Sequence, residues 1–70
     1  MIAKRTMTLN LTDAEMALLD RLCERYEMNK TAVMKKALRM FSLIDERIER
    51  GETLFAEDEK EQKRSELVLL

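Results

Sequence analysis

From Lys4 to Leu11 the chain alternates: the even positions carry Lys4, Thr6, Thr8 and Asn10, and the odd positions from residue 7 on carry Met7, Leu9 and Leu11. A period of two is that of a half-buried β-strand, with one face on a core and the other on water or a ligand. No comparable stretch precedes residue 50. A lone strand leaves backbone donors and acceptors unpaired along both edges, so the pattern calls for a partner strand. The simplest partner is the same strand of a second copy, paired antiparallel about a two-fold axis. The expected product is a two-stranded intersubunit ribbon with Met7, Leu9 and Leu11 inward and Thr6, Thr8 and Asn10 outward.

After Leu11 the period lengthens. Thr12-Asp13-Ala14-Glu15 fits a capping box, in which the Thr12 hydroxyl accepts from the Glu15 N–H and the Glu15 carboxylate accepts from the Thr12 N–H. Leu11 and Met16 are placed to form a hydrophobic staple around it. The spacing predicts a helix over about 13–26, with Leu19, Leu22, Cys23 and Tyr26 as a buried stripe at i, i+3, i+4, i+7. Glu27-Met28-Asn29 interrupts the pattern. Asn29 is a good N-cap for a second helix over about 30–50, whose apolar side carries Ala32, Val33, Ala37, Leu38, Phe41, Ile44 and Ile48. Gly51 suits the left-handed position past its end. That face is wider than one short helix can cover, which again asks for a second subunit.

Residues 51–70 read as a C-terminal extension. Thr53-Leu54-Phe55-Ala56 and Glu66-Leu67-Val68-Leu69-Leu70 flank a charged run from Glu57 to Arg64. A hairpin would pair the two apolar segments, although no Asn-Gly or Asp-Gly turn marks it. A helix is the alternative, since Glu, Lys, Gln, Arg and Ala favour one and Glu59 and Lys63 form an i, i+4 pair. The aliphatic run at the end and the solvated turn region favour the extended form.

Length sharpens the demand for a partner. Seventy residues make one domain at most, and a chain of that size buries only about 60% of the surface its unfolded form exposes. Small folds usually add a disulfide, a metal or a second subunit. One cysteine, Cys23, makes no intrachain disulfide, and without histidine the usual zinc sets are missing, so no metal or other cofactor is expected. Cys23 on the buried stripe reads as an inert thiol, and the methionines at 7, 16, 28, 34 and 40 read as core.

No run of 18 apolar residues and no signal-like N-terminus is present, which points to a protein of the cytoplasm with no membrane association. Net charge is −1, yet residues 1–40 hold eight basic side chains against five acidic, and residues 41–70 five against nine. A basic front half can meet a polyanion if the acidic tail lies on another face.

Strand, capped helix, short turn and capped longer helix, in that order over about Lys4 to Ile48, resembles the ribbon-helix-helix family of DNA-binding proteins, the MetJ, Arc and CopG type. The turn Met28-Asn29-Lys30-Thr31-Ala32 resembles the family's hydrophobic, Ser/Asn, basic, Ser/Thr, Ala. The fold class expected is therefore mainly α with one N-terminal strand at about 4–11, an intertwined homodimer with a two-stranded antiparallel ribbon, and a DNA-binding and dimerisation domain over 1–50.

The resemblance implies a ribbon in the major groove, which admits two strands. By position, Thr6, Thr8 and Asn10 would contact base edges. An Asn amide pairs with adenine N6/N7, and a Thr offers a hydroxyl and a methyl. Lys4, Arg5, Asn29, Lys30 and Thr31 would contact phosphates, the last three at a helix N-terminus that favours anions. The chain departs from the family at Glu27, where the family commonly has Gly.

Each assignment has a plainer counterpart. Thr6, Thr8 and Asn10 are also what the wet face of any strand would carry, and Asn29 is first a cap. Lys35, Lys36 and Arg39 read as the solvated face of a helix. No His, no Ser or Cys beside a base and no Gly-rich phosphate loop supports catalysis, so an enzyme is not expected. The expected function is a sequence-specific DNA-binding transcriptional regulator, a repressor, acting on double-stranded DNA in the nucleoid as a homodimer or a dimer of dimers. The alternative is an antitoxin-type interaction module in which residues 51–70 bind a partner protein.

Overall fold

The computed structural model describes residues 3–68. The chain divides into two compact units, Met1–Met34 and Lys35–Leu70, the division falling within the sequence of the second helix. In the first unit, residues 3–12 belong to neither helix nor strand, and α1 follows at Asp13–Tyr26. Its start is set by the Thr12 box. Glu15 N–H donates to Thr12 Oγ1 over 3.1 Å and Thr12 N–H to Glu15 Oε1 over 2.9 Å, so two donors that a helix start leaves without carbonyls are satisfied.

The end of α1 is a Schellman turn. Glu27 N–H donates to the Glu24 carbonyl and Met28 N–H to the Cys23 carbonyl, over 3.4 and 3.0 Å. This closure needs a left-handed residue, and Glu27 takes that conformation at φ 51°, ψ 47°. The turn thus keeps the shape a glycine would allow, and Glu27 carries the strain. Helix α2, Lys30–Glu49, begins three residues later. Asn29 caps it: its Oδ1 accepts from Ala32 N–H over 2.7 Å and its carbonyl from Val33 N–H over 3.0 Å.

The second unit holds the rest of α2 and a β-hairpin. Gly51, at φ 85°, closes α2 with another Schellman turn: its N–H donates to the Ile48 carbonyl and Glu52 N–H to the Arg47 carbonyl. Strands β1, Phe55–Asp58, and β2, Lys63–Glu66, pair antiparallel with Phe55 opposite Glu66 and Asp58 opposite Lys63. A bond from Leu67 N–H to the Leu54 carbonyl, 2.8 Å, extends the ladder by one pair.

This register sets Glu57 opposite Arg64, with Arg64 Nη2 3.7 Å from Glu57 Oε1 and its guanidinium over the Phe55 ring. Opposite charges across a ladder contribute a few tenths of a kcal/mol or more. In the turn, Asp58 Oδ1 accepts from Lys60 and Glu61 N–H, and Gln62 supplies the left-handed residue. An Asx turn thereby does the work of the missing Asn-Gly pair, and residues 55–58 and 63–66 are extended strands joined by a turn rather than parts of a helix.

This order overturns the expected fold class. The strands follow the helices instead of preceding them, and they form an intrachain hairpin rather than an N-terminal strand of the ribbon-helix-helix arrangement. The alternating segment at 4–11 forms no ladder. A strand is defined by its partner, and within one chain nothing pairs with these residues. Nor does the apolar side of the segment meet a core: Met7 is 78% and Leu9 50% exposed, and Leu11 is half-buried.

Burial elsewhere is equally sparse. Among the described residues, Leu19 of α1 and Val33 of α2 are buried, and Leu22, Cys23, Met28 and Ala32 are half-buried. Most of the apolar stripe of α2 faces outward, Leu38 at 71% and Phe41 at 59% exposed. No helix among the described residues is long and apolar enough to cross a membrane.

Candidate nucleic-acid interface

All eight residues assigned to DNA contact lie in the first unit, in two sets. The first is the extended segment, where Lys4, Arg5, Thr6, Thr8 and Asn10 are exposed. Their backbone is engaged in no ladder, so the segment offers main-chain as well as side-chain donors and acceptors to a partner. The side chains at 6, 8 and 10 are two hydroxyls and an amide, all neutral and all able to donate and accept. Such groups match base edges, which present donors and acceptors but no full charge.

The second set is the start of α2. Asn29 spends its side-chain oxygen on the Ala32 N–H, which leaves the N–H groups of Lys30 and Thr31 without an intrahelical acceptor. The two helix starts differ in charge. The first turn of α1 carries Asp13 and Glu15, whereas that of α2 carries no acidic residue and begins with Lys30. The positive end of the α2 dipole is therefore uncompensated from within its own turn. Glu15 illustrates the opposite state: the Thr12 backbone N–H, and after it the Thr12 hydroxyl, hold its carboxyl below the usual glutamate range.

One residue at this end was not legible in the sequence. Asp20, on α1, places Oδ1 3.8 Å from Lys30 Nζ, with both side chains 60% exposed. Ten residues separate the two, so no helical spacing announces the pair; the reversal of the chain at Glu27 creates it. Among the described residues, no hydrogen bond or ion pair joins the extended segment to the α2 start. The chain supplies two candidate contact sets without locking one to the other.

In the second unit, an open cleft of about 240 Å3 is lined by Ile44, Arg47, Ile48, Glu52, Thr53 and Leu54. Arg47 bridges it to Glu52 over 3.4 Å. Phe55 of β1 is exposed, and so is Val68, two residues past β2, at 71%. Cys23 is a free, half-buried thiol. No family model, curated protein or solved structure matches the chain.

Proposed function

We propose that the chain is a sequence-specific DNA-binding regulator of transcription, a repressor that works as a homodimer in the cytoplasm, on the nucleoid. The observation that carries this reading is the exposed segment Lys4–Asn10, whose polar positions hold two cations followed by two threonines and an asparagine. Lys4 and Arg5 attract the phosphate backbone without regard to sequence, and Thr6, Thr8 and Asn10 discriminate base edges. The α2 start, with Lys30, Thr31 and the Asn29 cap, takes a phosphate and fixes the register. This division follows the family resemblance residue by residue, but it does not require the N-terminal ladder that the fold lacks.

The second copy is supported by the apolar surface a single chain leaves uncovered. Met7, Leu9, Leu38 and Phe41 are exposed, and large apolar surface of this kind is what association removes from water. Two dimers side by side on one operator would extend the sequence read. A second reading is that residues 51–70 bind a partner protein, as in an antitoxin; the exposed Phe55 of β1 and Val68 just past β2 favour it.

Selection from a random duplex library at fixed moderate salt tests the first reading, with wild type and the triple variant Thr6→Ala, Thr8→Ala, Asn10→Ala in parallel. Wild type is expected to enrich a symmetric motif that the triple variant, still folded and of the same oligomeric state, does not. A wild-type protein that enriches no motif refutes base reading. Limited proteolysis addresses the second: a tail that gains protection only with a co-purifying protein supports a docking role.

A further inference from the structure

The hairpin of the second unit is a two-stranded sheet, so among the described residues each of its strands has an outer edge without a partner. Along β1, Ala56 and Asp58 turn their backbone groups to β2, as Leu54 does to Leu67 just beyond the ladder. Backbone direction alternates along an antiparallel strand, so the N–H and C=O groups of Phe55 and Glu57 point to the outer edge. Every residue of β1 and β2 is exposed. A lone two-stranded hairpin is marginally stable in water, and a third strand adds a second ladder to it.

We infer that the outer edge of β1 binds the segment Lys4–Leu9 of a second copy of this chain, antiparallel, with Arg5 opposite Glu57 and Met7 opposite Phe55. The pairing belongs to the protein without DNA and does not rest on the DNA-binding reading. The same cations serve a phosphate in the DNA-bound state proposed above, so the two engagements are alternatives.

Charge selects the edge. β1 and the turn after it carry Glu57, Asp58, Glu59 and Glu61 with Lys60 among them, whereas β2 begins with Lys63 and Arg64. A segment that opens with Lys4 and Arg5 is attracted to the first edge and repelled by the second. Charge and apolar pattern together select direction and register. With Arg5 opposite Glu57 in the antiparallel sense, the next residue on that face is Met7 opposite Phe55, and Lys4 falls opposite Asp58 on the other face. Reversing the direction sets Arg5 opposite Phe55 and Met7 opposite Glu57, which loses both matches. A slip of one residue sends Met7 to the face away from Phe55.

Phe55 and Met7, both exposed in the single chain, cover each other in this register. Arg5, Glu57 and Arg64 then alternate in sign across three strands, extending the Glu57–Arg64 pair that the hairpin already makes. A second copy is the occupant because residues 4–11 form no ladder within their own chain, while their alternation suits one.

The test is amide exchange by two-dimensional NMR on the full, unmodified chain over a protein concentration series without DNA, with the oligomeric state followed by sedimentation. Protection of the Phe55, Glu57, Arg5 and Met7 amides is expected to rise together with the associated fraction, while Ala56, bonded to β2 throughout, stays protected at every concentration. Arg5→Glu sets two carboxylates opposite each other and should weaken the association about threefold. Adding Glu57→Arg and Arg64→Glu inverts the charges it meets, keeps a cross-strand pair within the hairpin and should restore the association.

Three results overturn the inference: a chain that stays monomeric, a chain that associates while Phe55 and Glu57 exchange at an unchanged rate, or protection of those two amides that is independent of concentration and therefore arises within one chain. The second leaves the homodimer reading in place and removes only this contact. Protection of Ala56 in each variant reports an intact hairpin. No DNA is present, so none of these outcomes can be produced by a failure of the DNA reading.

Discussion

Replacing Glu27 by glycine stabilises this protein. Glu27 closes α1 in the left-handed region at φ 51°, ψ 47°, where an L-residue with a Cβ is disfavoured by about 1–2 kcal/mol. Glycine removes that cost but returns about 0.4–1 kcal/mol through the greater freedom of the unfolded chain. The balance is a gain of about 0.5–1 kcal/mol. For a chain of this length 1 kcal/mol corresponds to about 4–8 °C in Tm, so a rise of about 2–8 °C is expected.

Glu27→Ala is the control. It removes a carboxylate from the negative end of α1, which is itself favourable, but it keeps the Cβ that causes the strain. Thermal unfolding followed by circular dichroism at one protein concentration compares the three chains; the concentration must be held constant because association makes Tm depend on it. The reasoning is refuted if Glu27→Gly melts no higher than Glu27→Ala. The Schellman bonds from Glu27 and Met28 would then be maintained without strain at residue 27.

The same physics runs in reverse at Gly51. A Cβ there meets nothing within 4 Å, so Gly51→Ala tests conformation alone and should cost about 1 kcal/mol through its positive φ, read as a lower denaturation midpoint; an unchanged midpoint contradicts this. At Glu15 the expectation concerns pH. Because the folded carboxyl titrates below its usual range, its contribution to stability is present above the ordinary glutamate pKa and is lost as the pH falls through the folded value. Denaturation midpoints of wild type and Glu15→Gln should therefore differ at neutral pH and converge in acid, the other carboxylates being common to both chains. A difference that survives acidification would assign the effect to shape rather than charge.

Where each helix begins and ends is legible residue by residue. Thr12 and Glu15 satisfy each other's backbone donors, Asn29 caps α2, and Gly51 closes it, all within a span of a few residues. The candidate contacts divide along the same line. Thr6, Thr8 and Asn10 announce themselves by alternation and Lys30 by its place after a cap, whereas Asp20 comes to Lys30 only through the turn at Glu27. The hairpin is an intermediate case. Its apolar flanks and charged middle are visible in order, but the Asx turn at Asp58 and the left-handed Gln62 that permit it carry no familiar signature.

What the amino-acid sequence determined by itself is therefore the local geometry of two helices, because helical hydrogen bonds run between residues four apart and caps between residues three apart. What only the tertiary structure decided is which segments are strands and which apolar residues are covered. A strand's hydrogen bonds are made with another segment, so the alternation of residues 4–11 stated a preference for two faces without supplying a partner, while the less regular residues 55–58 and 63–66 found one in each other. Burial likewise belongs to pairs of surfaces: the apolar stripes on both helices are written in the sequence, yet Leu19 and Val33 alone reach a buried position among the described residues. A stripe without an opposing surface stays in water.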